Sequence, residues 1–132
     1  MALSDLFSRK LGRFVPESAF PENLAKQLKM TPLTLDQLRK LGVTPDKELK
    51  LEYFFYTNTG DKAASLAADQ KAFGYEVKHG LSASDKKQFL ITGWTTAMPM
   101  SVEVVSDWTR KMCETGYAKD CEFDGWGTTP AQ

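Results

Sequence analysis

The run Leu51-Glu52-Tyr53-Phe54-Phe55-Tyr56-Thr57 decides how this chain folds. Its density of aromatic and β-favouring residues predicts a strand. Side chains alternate across a strand, so Leu51, Tyr53 and Phe55 point one way and Glu52, Phe54 and Tyr56 the other. Both faces are then apolar. Downstream, Asn58-Thr59-Gly60-Asp61 supplies a turn and a helix start, Ala63, Leu66, Ala67, Gln70 and Phe73 recur at three- and four-residue steps, and Gly74 stops the helix. Tyr75 to Lys78 predicts a second strand, Gly80 to Lys87 a hairpin loop, and Phe89 to Met98 a third strand ended by Pro99. In that strand Phe89 and Ile91 oppose Leu90, Trp94 and Met98. Val102, Val105, Trp108, Met112 and Gly116 mark a second helix from about Ser101 to Ala118. A short last strand at Cys121 to Phe123 precedes an Asp124-Gly125 turn.

Strand, helix, strand, strand, helix, strand is the order of an α+β, ferredoxin-like βαββαβ sandwich: a four-stranded antiparallel sheet with both helices on one face. The second apolar face then needs a cover, from an N-terminal arm, a partner or a second copy, and the arm is the expected one. Residues 1–45 predict such an arm, with Pro16, Pro21, Pro32 and Pro45 between short amphipathic pieces. Over residues 4–12, Leu3, Leu6, Phe7, Leu11 and Phe14 recur opposite Arg9, Lys10 and Arg13, as in a short helix with one apolar stripe. A second helix is predicted from Glu22 to Lys29, and a third from Leu35 to Leu41, capped by Thr34 and ended by Gly42. Residues 46–132 are the sandwich domain, and arm and domain together make one globular unit.

A length of 132 residues suits a single domain that needs no disulfide or metal staple. Lys plus Arg number 17 and Asp plus Glu 17, so no global field attracts nucleic acid or a basic partner. Cys113 and Cys121 lack zinc-site spacing and read as small buried hydrophobes. No signal-peptide pattern is seen, and no apolar stretch reaches the roughly 20 residues that span a bilayer, so a cytoplasmic protein without a membrane segment is expected.

Catalytic chemistry finds little support. His79 is the single histidine, in a stretch read as a loop, with Ser82, Ser84 and Asp85 near only in sequence. Asp120, Glu122 and Asp124 alternate along the last strand, yet they lack the ligand number and glycine register of a calcium loop, and exposed acids on an edge strand also deter aggregation. No glycine-rich phosphate cradle is present, so neither cofactor nor metal is expected, and the chain is not read as an enzyme. Aromatic strands can stack RNA bases, and Phe54, Tyr56 and Trp94 would be the residues to do so. The Tyr53 to Tyr56 run lacks the Lys/Arg-Gly-aromatic pattern of RNA-recognition motifs, and direct nucleic-acid binding is disfavoured.

The closing segment Cys121-Glu122-Phe123-Asp124-Gly125-Trp126-Gly127-Thr128 resembles the signature that ends the RraB family, protein inhibitors of ribonuclease E. That signature usually reads Glu-Tyr-Asp-Gly-Trp, then Gly or Glu, then Thr, and Phe123 here takes the place of the tyrosine. Leu38 to Val43, the aromatic run Tyr53 to Tyr56 and Phe73-Gly74-Tyr75-Glu76-Val77 also look like that family, so the likeness covers roughly residues 35 to 128. It implies a ferredoxin-like α/β sandwich and a non-catalytic regulator of RNA turnover, whose partner is a protein such as ribonuclease E, bound outside its catalytic centre. The signature residues Glu122, Asp124, Gly125, Trp126 and Thr128 are the candidate partner contacts. Phe54, Tyr56 and Trp94 are the candidates if the sheet face instead binds a small molecule or RNA. Trp126 has two readings, a plug at the end of the core, which is the expected one, or a direct contact with a partner.

Overall fold

The computed structural model describes residues 13–132, and the helix predicted over residues 4–12 lies outside them. The elements are α1 (Ala19–Lys40), β1 (Glu48–Leu49), β2 (Glu52–Thr57), α2 (Gly60–Ala72), β3 (Lys78–Leu81), β4 (Phe89–Trp94), β5 (Met98–Pro99), α3 (Val102–Ala118) and β6 (Glu122–Gly127). The aromatic run is β2, at the centre of the molecule. Its burial alternates as the pleat requires: Tyr53, Phe55 and Thr57 are buried, whereas Glu52, Phe54 and Tyr56 are half-buried.

Four strands form an antiparallel sheet in the order β3-β4-β2-β6. α2 packs against β2, β3 and β4, and α3 against β6, both on the face of Tyr53 and Phe55. Phe55, Ile91 and Phe123 from the sheet meet Leu66 of α2 and Met112 of α3 in one core. Gly116 lets α3 come close, because a Cβ there would lie 2.7 Å from the Phe55 ring. Thr59 and Ser101 cap α2 and α3, each accepting a backbone N–H three residues on.

Several predicted boundaries move. The two short helices of the arm are one helix of 22 residues that runs through Pro32, with Thr34 inside it instead of capping its second half. Proline removes one helical N–H and disfavours the turn before it. Here Gln27, Thr31, Leu35 and Leu38 form a buried stripe, and α1 lies along α3, so packing holds the helix together across the defect. Its end is as predicted. Gly42 adopts φ +87°, its N–H donates to the Arg39 carbonyl, and Val43 N–H reaches back to the Leu38 carbonyl.

The predicted second strand at Tyr75 to Lys78 is displaced to Lys78–Leu81, which puts His79 in a strand and not in a loop. Tyr75 and Val77 pack instead on the core, while the Tyr53 hydroxyl donates to the Glu76 carbonyl at 2.7 Å and Glu76 N–H to that of Trp94 at 3.0 Å. Gly93 permits this crossing, since a Cβ there would stand 1.8 Å from the Glu76 carbonyl oxygen. The long third strand is split as well. It stops at Trp94, Thr95 exchanges bonds with the Leu51 backbone, and Met98–Pro99 pairs with Glu48–Leu49 in a separate two-stranded sheet. At the C-terminal end, Asp124-Gly125 is a bulge inside β6 and not a turn: the register against β2 shifts between Phe54 and Phe55, with Gly125 at φ +111°.

The described part of the arm covers an edge of the sheet rather than its second face. Asn23 Nδ2 donates to the Phe123 carbonyl at 2.9 Å, so side chains of α1 occupy the outer rim of β6. Ahead of α1, Asp120 gathers the start of the described chain. Its carboxylate accepts the N–H groups of Phe14 and Val15 at 2.7 and 2.8 Å and pairs with Lys62 at 2.6 Å and Arg13 at 3.5 Å. Asp120 sits at φ +57°, a conformation that aspartate tolerates better than most residues. Burial works to raise its carboxyl pKa, but Lys62 and the Val15 and Phe14 N–H groups outweigh this and hold it below the usual range.

Candidate partner-binding face

The face of the sheet away from α2 and α3 carries the even-numbered residues of β2. Register places Trp94 opposite Glu52, Thr92 opposite Phe54, and Leu90 opposite Tyr56. Paired residues share a face, so Phe54, Tyr56, Leu90 and Trp94 form one half-buried apolar row, with the sheet-face candidates Phe54, Tyr56 and Trp94 together in it. On β6, Glu122 lies opposite Tyr56 and Gly125 opposite Phe54, and on β3 Lys78 lies opposite Thr92.

Hollows flank the row on both sides, one of them, of about 220 Å³, along β3 between Lys78, His79, Gly80, Leu81, Leu90 and Thr92. The largest, of about 380 Å³, lies between α1 and the sheet and is lined by Lys26, Gln27, Met30, Thr34, Phe54, Asp124, Gly125 and Trp126. The bulge creates it, because the extra residue turns Asp124 outward and leaves Gly125 without a side chain beside Phe54. A third, of about 250 Å³, lies at the other side of the row around Glu52, Glu76, Lys78 and Trp94. Lys26, Met30 and Thr34 are contributions from α1 that the sequence reading missed. They recur every four residues and so share one helix face, a signal visible only once α1 is continuous through Pro32.

The signature residues divide between two tasks. Glu122, Asp124 and Gly125 reach the open face. Trp126, paired with Tyr53, shows part of its surface to the groove and packs edge-on against Trp108 with ring centres 6.3 Å apart. Its indole N–H donates to the Thr31 hydroxyl at 3.0 Å, and that hydroxyl lies 2.8 Å from Thr109 Oγ1. Thr109 in turn donates to the Val105 carbonyl at 2.7 Å, so its one hydroxyl proton is used and Thr31 must donate to it. Trp126 thus ends a relay that joins β6, α1 and α3. Thr128 donates to the Lys50 carbonyl at 2.6 Å, away from the open face.

The alternating carboxylates do not converge. Asp120 is taken up by Arg13, Lys62 and two backbone N–H groups, Glu122 lies on the sheet face, and Asp124 is exposed at the bulge. Among the described residues, no group of three or more His, Cys, Asp or Glu is placed to hold a metal ion. Burial raises the Glu122 carboxyl pKa and the Asp124 charge adds to this, with Lys26 opposing. Cys113 and Cys121 are buried, and desolvation pushes their thiols up to about 12 and about 11, far from the low values of reactive cysteines. His79 is exposed on the edge strand β3. No described helix is long and apolar enough to cross a membrane.

A family model for RraB, regulator of ribonuclease activity B, matches residues 29–128. That span takes in α1 from its middle, the whole four-stranded sheet and the closing signature, and the chain belongs to this family. No curated protein matches the chain.

Proposed function

We propose that this member of the RraB family is a non-catalytic regulator of RNA turnover that binds ribonuclease E outside its catalytic centre and lowers its activity. The match over residues 29–128 carries the reading, because the family is one of regulators of ribonuclease activity. The sheet order and the two helices on one face support a ferredoxin-like sandwich as the scaffold. The chemistry of the side chains supports a binding role. Both thiols are buried, the carboxylates are dispersed, and the open face offers an aromatic row and a groove. In this reading Glu122, Asp124 and Gly125 contact the partner, Trp126 and Thr128 hold the scaffold that presents them, and the site of action is the cytoplasm.

The test uses purified ribonuclease E and a defined RNA substrate. Added protein is expected to slow cleavage to a plateau that excess RNA does not fully reverse, as inhibition from outside the catalytic centre allows. Unchanged cleavage at a saturating concentration would sink the proposal. A second reading, RNA stacking on Phe54, Tyr56 and Trp94, has their alignment in its favour. It predicts retention of a single-stranded RNA that weakens steeply with salt.

A further inference from the structure

The charges around the aromatic row are unequal. Carboxylates stand at both ends, Glu52 beside Trp94 and Glu122 beside Tyr56, with Asp124 at the bulge next to Phe54. Glu76 joins Glu52 at the hollow around Trp94. Against these four acids, the face and its hollows offer two lysines, Lys26 on α1 and Lys78 on β3, with the imidazole of His79 at the β3 side. Four residue steps separate Glu52 from Tyr56, so the acidic ends of the row lie about 13 Å apart along the strands. The global charge balance of the chain conceals this local asymmetry.

We infer that the open sheet face is a docking surface for a basic, apolar polypeptide segment of a protein partner, whose Leu- or Phe-like side chains lie on the Phe54–Tyr56–Leu90–Trp94 row and whose Lys or Arg residues meet Glu52, Glu122 and Asp124. This rests on the reading of the protein as a regulator that works by binding, and deepens it. An apolar row alone would accept many occupants; the acids at its ends select a cationic one and repel phosphates. Arginine suits such a site twice over, because its guanidinium pairs with carboxylates and stacks on exposed aromatic rings. The desolvated Glu122, with Asp124 beside it, gains more from an incoming cation than a fully hydrated acid would. Gly125 presents no side chain beside Phe54, and the groove there is bounded on the α1 side by Lys26, Gln27 and Met30.

The experiment titrates the full chain, labelled with 15N, with three probes: a short amphipathic peptide of Leu, Phe and Arg, its counterpart with Glu for Arg, and single-stranded oligouridine. The Arg peptide is expected to shift the Trp94 indole and Gly125 amide signals, while the other two leave them in place. Replacing Glu52→Gln, Glu122→Gln and Asp124→Asn together keeps the shapes and removes the charges, and should weaken the Arg peptide about tenfold or more. Absence of these shifts, equal affinity for the triple variant, or preference for oligouridine overturns the inference. Ribonuclease E is then measured against wild type and triple variant. If the enzyme binds both alike, the surface is wrong and the regulatory reading stands; if it binds neither while the Arg peptide binds, the surface stands and the partner is wrong.

Discussion

Removing Trp126 tests whether the family signature acts chiefly through the fold. Full burial of a large aromatic makes its truncation to alanine cost about 3–5 kcal/mol, and Trp126 is only half-buried, which places its apolar loss near the lower end, at about 3 kcal/mol. The indole N–H adds one hydrogen bond of about 1 kcal/mol. Trp126→Phe tests chiefly that second contribution: a smaller ring stays against Trp108, and the Thr31 hydroxyl keeps its bond to Thr109 while losing the N–H it accepted. For a domain of this size each kcal/mol moves the melting temperature by roughly 3–5 °C. The expected falls are therefore about 4 °C for Trp126→Phe and more than about 10 °C for Trp126→Ala, read by thermal melts monitored in the far ultraviolet. Partner affinity should drop with Trp126→Ala only as far as the folded fraction drops. A melting shift under about 2 °C for Trp126→Ala, with binding abolished, would refute the structural assignment and make the indole a contact.

Asp120 gives a pH-dependent prediction. Its folded pKa is depressed, so its contribution to stability is present above the ordinary carboxylate value near 4 and is lost as pH falls through the folded value. Asp120→Asn should lower the melting temperature at pH 7, and the difference should shrink progressively as pH falls below the ordinary carboxylate value near 4; a difference that stays constant would remove the ionic explanation. Gly93→Ala should destabilise by about 3 kcal/mol or more, because its Cβ collides with the Glu76 backbone, and a variant with a wild-type denaturation midpoint would contradict the close crossing. The thiols of Cys113 and Cys121, raised by burial to about 12 and about 11, should resist a thiol-specific dye at pH 8 until denaturant is added. Rapid labelling of native protein would show that one of them is accessible.

Features set by neighbours in the chain were legible in the sequence. The strand read at Leu51 to Thr57, the helix starts read at Asn58 to Asp61 and near Ser101, and the stop at Gly42 each depend on a few consecutive residues. What depended on distant contacts was not. Pro32 reads as a break until the buried stripe from Gln27 to Leu38 is seen against α3. Lys78 to Leu81 lacks the alternating apolar pattern of a half-buried strand because all four residues are exposed, and only pairing with β4 defines them. Asp124-Gly125 has the composition of a turn and becomes a bulge because β2 lies alongside. The partners of Asp120 lie 58 residues away at Lys62 and 105 at Val15, so no local pattern announces the junction. For the candidate face, the alternation of β2 identified Phe54 and Tyr56, whereas the α1 wall of the groove required a helix the sequence appeared to interrupt.

The two margins of the four-stranded sheet are not equivalent. Along β6 the Phe123 carbonyl is already engaged by Asn23 of α1, whereas β3 presents Lys78, His79, Gly80 and Leu81 to solvent, with no described strand beyond them. An incoming strand would therefore meet an open backbone along β3 and α1 side chains at Phe123 along β6. An exposed strand margin is ordinarily a hazard for fibre formation, and here the charge of Lys78 and the shortness of β3, four residues, are the features that blunt it.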